Sequence, residues 1–150
     1  EKLRHKLPAA FEHLSPHEQL FVNTAAPSDS QVVAMGWRYE ALNVLLWALG
    51  LVEELTWPDK VCDVAHCVSL LVDVNADPAA LVQDSMLRSR TDILDQLDLH
   101  LRLHWLLRDA ELHSKPGPDI SRGVVMERLH AANPISTCCR APWDKVSTAT

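Results

Sequence analysis

The stretch Thr91–His113, TDILDQLDLHLRLHWLLRDAELH, constrains the fold more than any other, because at helical spacing it is apolar on two faces. Leu94, Leu97, Leu101, Trp105 and Leu112 form one stripe, and Leu99, Leu103, Leu106, Leu107 and Ala110 form the second. Two narrow polar seams separate the stripes. One carries Asp95, Asp98, Arg102 and Asp109; the other carries Gln96, His100, His104 and Glu111, with Arg108 at its edge. A helix that is apolar on both sides packs between neighbours, so both seams are expected to be half-buried.

A second helix of this kind is expected from residue 29 to about Leu55. Ser28 is placed to cap it and Gln31 to close a capping box. Its segment VLLWALGLV is apolar all round, which requires enclosure by other helices. Arg38, Glu40 and Asn43 on that helix then need partners, because an unpaired buried charge costs several kcal/mol, order of magnitude.

The remaining elements are shorter. Leu3, Leu7 and Phe11 recur at helical spacing in a weakly patterned lead-in. Ser15-Pro16-His17-Glu18 starts a short helix ending near Asn23, with Ser15 as cap, Pro16 at the first position and Glu18 at the box position. Thr56-Trp57-Pro58-Asp59 turns the chain. Residues 61–74 are Val-rich, yet Val64, Cys67, Val68 and Leu71 follow a helical period. Asp77-Pro78 opens another helix to roughly Leu87, and Lys115-Pro116-Gly117-Pro118 ends the long central one. Ser121 or Asp119 caps a last helix through about Ala132, stopped by Pro134. Residues 135–150 read as an irregular tail laid on the surface, with Trp143 as anchor. The expectation is a single all-α domain over residues 1–150, a bundle of about six helices around two enclosed central ones, 29–55 and 91–113.

Composition agrees with that class. Apolar residues make up 47% of the 150, charged residues 23%, and only 4 are glycine, values of an ordinary globular domain rich in Leu and Ala. The formal net charge of −6 and the lack of a basic run argue against non-specific nucleic-acid binding. The longest uncharged apolar run, Ala41 to Val52, is about half the length of a membrane span, so no membrane role is expected. No secretory or lipidation signal is visible in the sequence given, which begins at Glu1. Four cysteines, Cys62, Cys67, Cys138 and Cys139, are too few for a disulfide framework; reduced thiols in a cytoplasm are the expectation.

Several pieces together resemble a known family. Trp37-Arg38-Tyr39-Glu40-Ala41-Leu42 runs into Leu45-Leu46-Trp47-Ala48-Leu49-Gly50, and Leu87-Arg88-Ser89 precedes Ile93-Leu94-Asp95. Asp98-Leu99, Arg102-Leu103-His104-Trp105 and Asp109-Ala110 follow, then Gly123-Val124-Val125 with Glu127-Arg128. From about Leu14 onward the chain is similar to a bacterial family known as domain of unknown function 4272. The resemblance implies a helical bacterial domain and supplies no activity. The tail departs from the family pattern: an Asn-Trp pair is expected where Asn133-Pro134 stands, and an Asp where Ala149 stands.

The strongest site candidate combines Arg38 and Glu40 with Asp95, Asp98, Arg102 and Asp109, flanked by His104 and Trp105. Spacings of three and four align the four charges of the long helix on one side. Facing Arg38, they could bind a phosphate, a carboxylate or a hard cation, or form an internal ion network that fixes helix register. His100 and His104 have the i, i+4 spacing of helical zinc sites, but Leu101 follows His100 where the zinc-protease signature has Glu. Cys62 and His66 form a second such pair. Neither pair is a complete metal set, so no metal is expected and no cofactor is named. No nucleophile elbow or glycine-rich phosphate loop occurs. The sequence therefore favours a non-catalytic binding or protein-interaction module, with a protein partner as its possible target. The alternative is a small-ligand or metal-dependent enzyme using the Arg/Asp/Glu seam.

Overall fold

The computed structural model of the chain describes residues 8–73, Gln83, 85–136 and 141–148. Among these the regular structure is all helical: α1 (Pro8–Glu12), α2 (Pro16–Asn23), α3 (Asp29–Ala48), α4 (Val64–Asp73), α5 (Arg90–Leu112) and α6 (Arg122–Ile135), then a 3₁₀ turn at Trp143–Lys145. No helix among them is long and apolar enough to cross a membrane. The expected helix opening at Asp77-Pro78 lies outside the described residues, as do Cys138 and Cys139. Ser85–Ser89, the stretch leading into α5, is not helical.

The start signals work as the side-chain chemistry requires. Ser15 and Ser28 each accept a hydrogen bond from the third helical N–H, and each cap N–H donates in return to the side-chain oxygen of Glu18 or Gln31. Ser89 caps α5 through the Asp92 N–H, and Ser121, rather than Asp119, caps α6. Asp63 caps α4 by accepting the His66 N–H at 3.0 Å.

α3 ends at Ala48, not near Leu55. Gly50 takes φ +76, a left-handed conformation that suits glycine. The Leu51 N–H then reaches back to Leu46 O and the Gly50 N–H to Trp47 O, both at 2.9 Å, which is the Schellman closure. Arg88 completes this helix end. Its Nε donates to Trp47 O and its Nη2 to Val52 O and Glu53 O, while its guanidinium lies 5.0 Å from the Trp47 ring centre. A cation on the last carbonyls of α3 also suits the helix dipole.

α6, not the pair α3 and α5, is the middle of the domain. It packs against both of the longer helices, and α4 packs on α3. Val124, Val125, Arg128, Leu129, Ala131 and Ala132 of α6 are all buried. One apolar cluster joins Leu46, Trp47 and Ala48 of α3 to Cys67 of α4 and Ile93 of α5. Gly123 lets α6 approach the Trp37 ring closely, for a Cβ there would lie 2.4 Å from the indole. The helix also runs on through Pro134 to Ile135 instead of stopping before the proline. A proline in the final turn loses one backbone bond and little else.

Candidate functional site

α5 turns its histidine seam inward and its aspartate seam outward. Ile93, His100, Leu103, His104 and Ala110 are its buried residues, whereas Asp95, Asp98, Arg102 and Asp109 are exposed. Arg102 pairs with Asp98 one turn away at 2.6 Å, and Asp109 pairs with Lys115 and His113. Trp105, expected in the core, is 50% exposed. The seam proposed from the sequence is therefore not assembled: α5 does not present its carboxylates to Arg38 or Glu40. The double apolar pattern hid which face turns inward, because each polar seam lies between the same two leucine stripes.

Glu40 and Arg38 find other partners. Glu40 meets Arg128 of α6 at 3.1 Å, with 2% and 1% of the two side chains exposed. Glu40 also accepts the Cys62 N–H, and Arg128 donates to Thr56 O at 2.6 Å. His100 adjoins this centre. It donates from Nδ1 to Gln96 O at 2.7 Å, and burial, followed by the Arg128 charge, pushes its pKa down. His104 is equally buried, with both ring nitrogens unpartnered, and burial lowers its pKa too. Burial and then Glu40 push the Cys62 thiol up to about 12, so it stays a protonated, unreactive packing group. Among the described residues no group of three or more His, Cys, Asp or Glu could hold a metal ion.

Arg38 opens onto a different place. Its Nη2 donates to Asp144 Oδ1 of the tail at 2.9 Å, and the His17 N–H donates to Asp144 Oδ2 at 2.9 Å. Burial opposes ionisation of Asp144, but the His17, Ser15 and Arg38 hydrogen bonds outweigh it and hold the carboxyl below its ordinary range. Trp143 beside it lies 5.6 Å from the Arg38 guanidinium and packs edge-on against His130 at 4.7 Å. These contacts fasten residues 143–144 over α2, α3 and α6.

The cleft so formed encloses about 420 Å³. Leu20, Phe21, Met35 and Trp37 supply apolar wall; Arg38, Glu127, His130 and Asp144 supply polar groups. Burial raises the Glu127 pKa, with Arg38 opposing. Burial and then Arg38 lower that of His130, so its imidazole is neutral near pH 7. Two polar atoms of these lining residues, Arg38 Nη1 and His130 Nε2, are buried away from solvent without a hydrogen-bond partner. A second, larger concavity of about 980 Å³ adjoins the first and shares Phe21, Met35 and Arg38 with it. Of the residues singled out in the sequence as ligand-binding, only Arg38 lines the 420 Å³ cleft. Glu127 and His130 went unnoticed as site residues although their i, i+3 spacing on one helix was a legible signal. Asp144 had none, since its role depends on where the tail lies.

The fold and cleft define an all-helical domain with an open, partly polar cavity and a buried ion pair at its centre. The chain belongs to the family described as Domain of unknown function (DUF4272), whose profile matches residues 1–146. No curated protein and no solved structure matches it.

Proposed function

We propose that the domain is a non-catalytic binding module that takes a small ligand in the cleft between α2, α3, α6 and the 143–145 turn. One observation carries this reading: apolar Leu20, Phe21, Met35 and Trp37 and polar Arg38, Glu127, His130 and Asp144 line one cleft of about 420 Å³. The apolar wall of Phe21, Met35 and Trp37 supplies the area that small-molecule sites use for affinity. A ¹⁵N NMR fragment screen on the full chain tests the proposal. Hits should perturb the Trp37 indole and the amides of 127–130; hits confined to the exposed face of α5 would reject it.

Catalysis at the same cleft is the second reading, favoured by the paired environments of Glu127 and His130. A carboxyl whose pKa burial raises, three residues from a neutral imidazole, is the arrangement general acid–base chemistry uses. Under this reading Glu127→Gln retains ligand binding and loses turnover; under the first it changes affinity alone.

A further inference from the structure

We propose that the outer face of α5 is a dimer interface, on which a second copy of this chain docks antiparallel about a two-fold axis beside Trp105 and Leu106. The proposal is independent of the cleft.

α6 packs on the inner side of α5. The outer side of a helix so placed should be polar. Here it carries Leu99, Trp105, Leu106 and Leu112, which are between 36% and 71% exposed. Leu99 and Leu106 are seven residues apart, as are Trp105 and Leu112, the spacing of a helix seam that packs along another helix. Between these two edges run Asp98, Arg102, Asp109 and His113, all more than half exposed. Four large apolar side chains gathered on one face mark an interaction surface rather than scattered exposure.

The order of these residues selects the occupant. In a two-fold interface residue i meets residue j and j meets i. Counted outward from the midpoint between 105 and 106, Trp105 mirrors Leu106, Arg102 mirrors Asp109, Leu99 mirrors Leu112 and Asp98 mirrors His113. An antiparallel second copy brings each residue level with its mirror, so apolar meets apolar and acidic meets basic, every contact made twice. A parallel copy would set Asp98 on Asp98 and Arg102 on Arg102, like charge on like. The exchange of partners is easy. Arg102 holds Asp98, and Asp109 holds Lys115 and His113, in exposed pairs that contribute little.

Size sets the strength. From residue 98 to 113 the face is about 22 Å long. That is less than an interface of the standard size, about 1,600 Å², would use, so the dimer is weak and reversible. At the low concentrations of optical melts the chain is a monomer and the Arg102–Asp98 pair stays in water.

Sedimentation equilibrium on the full chain, from about 5 µM to 1 mM, tests the proposal. The average mass should climb from 16.8 kDa toward twice that value. Trp105→Glu should weaken association about ten-fold or more. Arg102→Asp should weaken it too, and adding Asp109→Arg should restore it, because the double exchange keeps both cross-copy pairs. Circular dichroism checks that each variant is folded; should Trp105→Glu fail to fold, the charge exchange decides. A mass that stays monomeric to about 1 mM, or a dimer indifferent to both Trp105→Glu and Arg102→Asp, overturns the proposal and leaves the face to a different partner. A double exchange that does not recover association overturns the antiparallel register.

Discussion

Arg128 and Glu40 meet at 3.1 Å with almost none of either side chain exposed, while Arg102 and Asp98 meet at 2.6 Å with most of both in solvent. The first pair joins α3 to α6 across 88 positions of sequence. The second lies one turn apart on the outside of α5 and joins nothing. Identical side-chain chemistry thus has opposite consequences. Separating the buried pair strands a charge away from water, whereas the exposed pair trades one hydrated state for another. Burial, not geometry, separates a register lock from a surface ornament.

The largest effect should come from Arg128→Met, which leaves the Glu40 carboxylate buried beside a single backbone N–H. A loss of about 3–5 kcal/mol is expected in urea denaturation. Adding Glu40→Gln should restore a substantial part of it, since the stranded charge is then gone. A mild effect of Arg128→Met would break the comparison at its strong end.

Gly123→Ala should come next. The new Cβ would fall 2.4 Å from the Trp37 indole, so ring or helix must shift, at a cost of roughly 1–3 kcal/mol. Because Trp37 also lines the cleft, its fluorescence maximum should move in the folded variant. An unchanged spectrum and midpoint would show that α6 has room to withdraw.

Acidification sharpens the contrast from the histidine side. Burial depresses the pKa of His100, His104 and His130 in the folded chain. The unfolded chain then takes up protons first, so stability falls as pH drops below about 6.5 toward the folded-state values. Glu127 acts in the opposite sense: its raised pKa penalises the folded state above that pKa, and the penalty fades in acid. Asp144, held below its ordinary value, gives up its contribution only below about pH 4. Urea midpoints from pH 8 to 5 should fall, and fall less in His100→Gln. A flat profile would mean that the inward seam of α5 is hydrated.

The smallest effect is expected of Arg102→Ala, which should leave the thermal midpoint within measurement error. Its partner Asp98 is more than half exposed, so water replaces the arginine when it is removed. A clear destabilisation would place the outer seam against another surface and overturn the distinction drawn here.

Much of the fold was legible because it rests on local chemistry. The caps at Ser15 and Ser28 follow from side chains reaching backbone groups a few residues away, and the break at Lys115-Pro116 from the N–H that proline lacks; the Ser89 cap of α5 went unread. Where the pattern was symmetric, local chemistry was silent. The two apolar stripes of α5 and its two polar seams gave no means of choosing a face, and the outward seam was the one that looked like a site.

The sequence by itself determined an all-helical chain, its helix starts, and the need of Arg38 and Glu40 for partners, because propensity, capping and the cost of burying charge act within a turn or two. Only the tertiary structure decided which partners they have. Arg128 and Asp144 lie far along the chain, and a carboxylate finds its arginine by the packing of α6 and the path of the tail, which no local spacing encodes. The helix from residue 90 to 112 dominates the sequence pattern. The short helix from 122 to 135 dominates the described fold, since it packs against both long helices and carries Arg128 inward, Glu127 and His130 to the cleft.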